Sequence, residues 1–128
     1  MWCGSVWLTS QQSEVSPELK ERLLAAQSAD AILSKVWSGK NCRILRSKWT
    51  EAWEQPGAPE PLTFPLQAAL TYHVMRRVNH ARAKEVITYP VGQIIGQISE
   101  SRTVRQIFYD MLAEFADTAE RFGAITND

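Results

Sequence analysis

The chain opens with a nearly continuous apolar run, and this run constrains the fold more than any other feature. Its apolar members are Trp2, Cys3, Val6, Trp7 and Leu8. Only Gly4-Ser5 interrupts them before the polar stretch that begins at Thr9. Runs of this kind are typical of strands covered on both faces, as in parallel sheets. Because strand backbone groups need hydrogen-bonding neighbours, we expect a strand at residues 1–8 whose partners are another extended segment or lie outside this chain.

Composition predicts one small globular unit. The chain has 128 residues, of which 45% are hydrophobic, enough for a modest core. Lys+Arg and Asp+Glu balance at 14 each, so bulk charge gives no reason to expect a nucleic-acid partner. The sequence has no apolar run of about 18 residues and no secretory signal pattern. Cys3 and Cys42 are too far apart for a metal-type pair. We therefore expect a cytoplasmic protein with reduced thiols, no membrane partner and no metal.

Hydrophobic spacing and helix-start signals predict a mainly α fold with one or two short strands. The predicted helices cover residues 17–28, 48–54, 65–87, 91–98 and 101–122. Two extended pieces, 36–39 and 42–45, flank Gly39, and the proline-dense stretch 55–65 predicts a crossing loop. In the long helix 65–87 we expect an inward face formed by Leu66, Leu70, Val74, Met75 and Val78. The expected divisions are 1–28, 29–65 and 66–128.

Two glycine-containing pairs are candidate ligand contacts. Gly4 lets backbone approach a phosphate, and the Ser5 hydroxyl can bind one; the alternative is a bulge or a tightly packed strand. Gly92 and Gln93 lie in the first turn of the helix expected after Pro90, where free N–H groups can meet a ligand. The alternative there is close packing of the helix against a neighbouring wall.

No self-sufficient active site can be assembled from the sequence. There is no nucleophile–base–orienter set and no metalloprotease motif. The segment around Lys40 is not a P-loop, because residues 34 and 41 are Ser and Asn rather than Gly and Ser or Thr. His73 and His80 lie two helical turns apart, too far for one metal without further ligands. We therefore nominate no catalytic residue and no metal ligand.

Four motifs in order carry a family resemblance. They are Gly4-Ser-Val-Trp-Leu-Thr9, Val36-Trp-Ser-Gly-Lys40 through Arg46, Pro65-Leu-Gln67 and Pro90-Val-Gly-Gln93. Together they resemble the C-terminal portion of the nitronate monooxygenase (2-nitropropane dioxygenase-like) family, FMN-binding (β/α)₈-barrel oxidoreductases. The resemblance implies the last strand, last helix and helical cap of a TIM barrel. It also implies FMN as cofactor, with Gly4 and Ser5 at its phosphate and Gly92 and Gln93 on the cofactor side.

The resemblance also implies what this chain lacks. Family members are typically about twice this length or more, and their catalytic histidine lies upstream; neither His73 nor His80 matches it. The complete enzymes act in oxidative denitrification of nitronates or NAD(P)H-dependent flavin reduction on small-molecule substrates. We expect this chain alone to bind FMN weakly and to be inactive, so whether it is itself an enzyme stays open.

Two other hypotheses stay open beside the enzyme fragment. The chain could be a non-catalytic helical interaction module, homodimeric in one version, in which the first strand pairs with residues 35–46 or with its own copy. Alternatively, the reading frame continues upstream of Met1 and the function is that of the full enzyme.

Overall fold

The structure, a computed structural model, describes residues 3–126 and is mainly helical. Its helices are α1 (Gly4–Leu8), α2 (Pro17–Ala25), α3 (Lys48–Trp53), α4 (Leu66–His80) and α5 (Val104–Thr126). Its strands are β1 (Ala31–Ser34) and β2 (Cys42–Leu45). Two short 3₁₀ turns lie at Ser28–Asp30 and Gln93–Gln97. The expected class, mainly α with one or two short strands, is confirmed, and the division at 1–28, 29–65 and 66–128 stays a prediction.

The first described element is a helix, so the strand expected at residues 1–8 is wrong for Gly4–Leu8. Met1 and Trp2 lie outside the described residues. A strand there would need a free sheet edge, but β2 is flanked by β1 on one side and by Tyr89 and Val91 on the other. Residues 4–8 instead satisfy backbone groups within one short helix. Thr9 ends it, its hydroxyl donating to the carbonyl of Val6 at 3.4 Å.

Helix α2 begins where capping chemistry predicts. The hydroxyl of Ser16 accepts from the Leu19 N–H at 3.3 Å, and Pro17 occupies the first helical position. Leu19 and Leu23 point into the core. The core gathers residues from α2, both strands and the segment before and within the second 3₁₀ turn. Its buried members are Leu19, Leu23, Ala31, Leu45, Ile87, Val91 and Ile95.

Strands β1 and β2 pair antiparallel, with Ile32 opposite Ile44. The hairpin expected around Gly39 is present and its second strand is at 42–45, but the first strand lies at Ala31–Ser34 rather than 36–39. Residues 36–39 belong to the turn, which the Gly39 N–H closes by donating to the carbonyl of Lys35 at 2.8 Å. Gly39 adopts a φ of +86°, in the region that favours glycine.

A third extended segment lies beside β2. The Leu45 N–H donates to the carbonyl of Tyr89 at 2.9 Å, and the Val91 N–H donates to that of Arg43 at 3.0 Å. Pro90 lies opposite Ile44 in an isolated bridge. The helix expected over 91–98 is therefore wrong at its start, because Pro90 is extended and only Gln93–Gln97 turn, as a 3₁₀ helix.

Helix α4 buries polar residues in its first two turns, where Leu66 and Leu70 were expected, whereas Met75 is buried and Val78 packs against the core as expected. Its buried residues are Gln67, Thr71 and Met75, whereas Leu66 is 60% and Leu70 42% exposed. The carbonyl of Val36 accepts from Gln67 Nε2 at 2.8 Å and from Thr71 Oγ1 at 3.0 Å. A buried carbonyl needs hydrogen-bond donors, and these two side chains supply them. The helix also ends at His80 rather than residue 87, since Arg82 adopts a φ of +51°.

The guanidinium of Arg22 ties α2 to two other parts of the chain. It donates to the carbonyls of Arg46, just after β2, and of Ile87 and Lys84 in the segment after α4. Desolvation lowers the pKa of Arg22, and the neighbouring carboxylates of Glu85, Asp30 and Glu51 oppose that shift. Arginine keeps its charge in proteins, so the contact is a charged donor on carbonyl acceptors.

Replacing Arg22 should destabilise the fold, because three carbonyl groups lose their shared donor. We expect Arg22→Ala to lower the free energy of unfolding by about 2–4 kcal/mol in urea denaturation. Arg105→Ala, at an exposed position of α5, should change it by less than about 0.5 kcal/mol. Equal effects of the two substitutions would contradict the assigned role of Arg22.

Two glycines with almost the same backbone angle should respond differently to alanine. Gly39 and Gly57 have φ values of +86° and +85°. A Cβ on Gly39 would lie 2.4 Å from the carbonyl oxygen of Leu62, whereas one on Gly57 meets nothing within 4 Å. We expect Gly57→Ala to cost about 1 kcal/mol from strain alone and Gly39→Ala about 3 kcal/mol or more. Similar thermal midpoints for the two variants would contradict this.

Candidate functional site

All four residues nominated from the sequence line one concavity of about 730 Å³. Gly4 and Ser5 contribute from α1, and Gly92 and Gln93 from the start of the second 3₁₀ turn. The remaining lining residues are Cys3, Leu8, Cys42, Arg43, Tyr89, Pro90, Val91 and Ile94. The wall is thus formed by the short helix α1, by the first residues of β2 and by the third extended segment. Whether the four residues bind a cofactor stays a prediction.

One hydrogen bond joins the two nominated pairs across the sequence. The Gly92 N–H donates to Ser5 Oγ at 2.8 Å, although the residues are 87 positions apart. Gly92 is extended, with φ −91° and ψ 167°, and caps the 3₁₀ turn. Its position follows from the pairing of Tyr89 and Val91 with β2. The extended segment therefore carries Gly92 to α1.

The Ser5 hydroxyl can still donate a hydrogen bond to a ligand. A serine hydroxyl has one donor hydrogen and two acceptor lone pairs. Because its oxygen accepts from Gly92, its hydrogen can still donate to an anion. Gly4 beside it is exposed, and a Cβ there would meet nothing within 4 Å. The backbone at Gly4 is therefore open to close approach.

Arg43 adds positive charge to this wall. One of its guanidinium nitrogens donates to the carbonyl of Ala31 at 2.9 Å. A guanidinium has five N–H donors in all, so this contact orients the group without using all its donors. In the sequence, Arg43 belongs to a motif that resembles the family, but its type and spacing give no signal for a ligand role.

Sequence reasoning also missed Cys3, Cys42 and Tyr89 as lining residues. Both cysteines are half-buried with free thiols. Burial raises the pKa of the Cys42 thiol, and a hydrogen bond with Ser38 partly opposes the shift. Cys42 is therefore a protonated, weakly nucleophilic group at neutral pH. The signal that could have found Tyr89 is the residue after it, since a residue preceding proline favours extended backbone.

Gln93 and Gly96 fix the second 3₁₀ turn against the first. The carbonyl of Gln93 accepts from Ser28 Oγ at 2.8 Å, while its side chain is exposed. A Cβ on Gly96 would lie 2.3 Å from the Ser28 nitrogen. The close packing expected as the alternative for this segment is found at Gly96, whereas Gly92 and Gln93 border the concavity.

Other candidate features form no built site. Within residues 3–126, no group of three or more His, Cys, Asp or Glu side chains could hold a metal ion. His73 and His80 are exposed on α4 beside Arg76 and Arg77. Across that same part of the chain, no helix combines the length and apolar character needed to cross a membrane.

The hydrogen bond between Ser5 and Gly92 should control local stability at this wall. In Ser5→Ala the Gly92 N–H loses its acceptor, a cost of about 1–2 kcal/mol. We expect hydrogen exchange of the Gly92 amide to accelerate about 5–30-fold. Ser99→Ala, an exposed serine that does not line the concavity, is the matched control. Unchanged exchange at Gly92 in Ser5→Ala would contradict the contact.

Comparisons with known proteins show which proteins the chain is similar to. No protein-family model matches it. A Mycobacterium tuberculosis protein named as a monooxygenase is 43% identical over 124 residues, covering 92% of this chain and 33% of its own length. A protein of Bacillus subtilis named as a probable nitronate monooxygenase is 29% identical over 111 residues, covering 87% of this chain and 32% of that protein. The chain thus spans about a third of the length of these curated relatives.

Solved structures agree with the sequence relatives. FabK from Thermotoga maritima is 28% identical, with a TM-score of 0.69 over 92% of this chain and 37% of that one. A point mutant of the same protein gives 25% identity and a TM-score of 0.67, over 92% of this chain and 33% of that one. The ordered motifs, the relatives and the shared fold agree: the chain matches the C-terminal portion of barrel proteins of the nitronate monooxygenase (2-nitropropane dioxygenase-like) family.

Proposed function

We propose that this chain supplies part of the FMN phosphate site of a nitronate monooxygenase-like oxidoreductase. The observation that carries the proposal is the Ser5–Gly92 hydrogen bond, which brings both nominated pairs onto one wall. The names of the relatives support a monooxygenase that acts on nitronates. The family resemblance adds the flavin cofactor and, as an alternative activity, flavin reduction with NAD(P)H. Because the chain spans about a third of those relatives, the whole reaction is proposed for the larger assembly.

The residues present fit a phosphate. Phosphate binding needs hydrogen-bond donors, positive charge and room for close backbone approach. Ser5 offers a hydroxyl hydrogen, Arg43 offers guanidinium donors, and Gly4 leaves its backbone open. Gln93 is exposed at the same wall and can add an amide donor. These four residues would hold the phosphate end of FMN.

In the proposed mechanism the residues of this chain position the cofactor and do not themselves react. Bound FMN would supply the redox chemistry. Gly92 orients the Ser5 oxygen, so the hydroxyl hydrogen is directed to another acceptor. The contact of Arg43 with Ala31 holds the guanidinium at the wall. Cys42, with its raised thiol pKa, stays neutral there. Among the described residues that line this wall there is no histidine or carboxylate, so they offer no general base of those types.

Amide chemical shifts test the phosphate contact directly. The ¹⁵N-labelled chain would be titrated with FMN and with riboflavin, which lacks the phosphate. We expect FMN alone to shift the Gly4, Ser5 and Gly92 amides, with a dissociation constant on the order of millimolar because most of the cofactor finds no surface. Ser5→Ala should weaken FMN about fivefold, and Ser99→Ala should leave it unchanged.

Two outcomes would count against the proposal. If riboflavin shifts the same amides as strongly as FMN, the phosphate is not the recognised group. If FMN perturbs other residues and leaves Gly4, Ser5 and Gly92 unmoved, the concavity is not its site.

A further inference from the structure

Helix α5 presents a long apolar face to solvent. Ile107 is buried near its start, but the apolar side chains that follow are mostly exposed. The exposed fractions are 54% for Phe108, 48% for Leu112, 73% for Phe115 and 74% for Ile125. The apolar residues keep 3.6-residue spacing along the helix. Within residues 3–126, other parts of the chain cover this apolar face only near the start of α5.

The face is broad. At about 100° per residue, the apolar positions of α5 span an arc of about 140°; they are Val104, Ile107, Phe108, Met111, Leu112, Phe115, Ala119 and Phe122. Arg105, Asp117 and Glu120 lie outside this arc. A two-stranded coiled coil needs only a narrow seam, whereas a broad stripe is typical of a helix laid on the core of a larger body.

Charge argues against a second copy of α5 as the occupant. Between residues 110 and 120 the helix carries four acidic side chains and no basic one. Of these, Glu114 borders the apolar arc, so two such helices packed side by side would place its like charges at the rim of their contact. The occupant is better sought in a different protein surface.

The apolar face continues into the proposed cofactor site. A groove of about 790 Å³ runs along α5, and Cys3 and Ile94 line both this groove and the concavity that holds Ser5. Val6 lines the groove from α1, one residue after Ser5. Whatever covers the groove therefore borders the concavity as well.

The structural matches indicate what the occupant is. They cover 92% of this chain but only 33–37% of each FabK chain. In a protein of that fold, about two thirds of the polypeptide lies outside the region this chain matches. That remainder is large enough to provide a core for a helix of 23 residues.

We infer that the apolar face of α5 is the docking surface for the portion of a nitronate monooxygenase-family fold that this chain does not span. The inference holds whether or not the two parts belong to one polypeptide. A second part of the inference is that the same partner also covers the concavity of Ser5 and Gly92. This part rests on the proposed function.

A chimera tests the docking in a complete fold. In the full-length Mycobacterium tuberculosis relative, the matching segment would be replaced by this chain. We expect Phe115→Asp to lower the thermal midpoint of the chimera on the order of 5–10 °C, since a buried aromatic becomes a charge. Ala113→Asp introduces the same side chain on the opposite side of α5 and should have little effect. Phe115→Leu should restore most of the loss.

The isolated chain gives the matching measurement. Because Phe115 is 73% exposed there, Phe115→Asp should leave its thermal midpoint within about 2 °C. A chimera that does not fold, or one equally stable with Phe115→Asp, overturns the inference. A discrete dimer of the isolated chain in light scattering, abolished by Phe115→Asp, would also overturn it and assign the face to a second copy.

Flavin content separates this inference from the proposed function. If Phe115→Asp destabilises the chimera while Ser5→Ala leaves its bound FMN unchanged, the docking surface stands and the phosphate role fails. If Ser5→Ala loses FMN while Phe115→Asp has no effect, the phosphate role stands and the docking surface fails.

Discussion

The guanidinium of Arg22 is the contact on which the arrangement of the chain depends. It reaches from α2 to the carbonyl of Arg46 at the end of β2 and to those of Ile87 and Lys84. Those carbonyls belong to two segments, the one just after β2 and the one after α4, which Lys84 also joins to α2 through Glu21. By holding both, Arg22 fixes the segment that continues into Tyr89 beside β2. The position of Gly92, and so of the candidate site, follows from that pairing.

Local signals predicted the elements that are governed by local chemistry. Ser16-Pro17 started α2 as expected, and α3 ends before Pro56. The strand expected at residues 1–8 is wrong for Gly4–Leu8, for a different reason. Its apolar run is compatible with a strand or a short helix, and only the presence of a free sheet edge decides between them. The second edge of β2 is occupied by Tyr89 and Val91, which are distant in sequence.

The buried face of α4 is a second feature that depends on contacts distant in sequence. Hydrophobic spacing places Leu66 and Leu70 inward, yet Gln67 and Thr71 are buried because the carbonyl of Val36 needs donors. No sequence pattern announces that need, since it arises from the turn that follows β1. Gly4, Ser5, Gly92 and Gln93 could be nominated through the family motifs, whereas Arg43 entered the site only through the geometry of β2.

Helix α1 connects the two surfaces that remain open. Ser5 lies on the concavity and Val6 on the groove, on successive residues of a five-residue helix with no buried side chain. An element so short has little intrinsic stability, so its orientation depends on contacts at both surfaces. The Gly92 N–H holds the Ser5 side; a partner on the groove would hold the Val6 side. Covering the groove and orienting the Ser5 hydroxyl are therefore physically coupled through the same turn of helix.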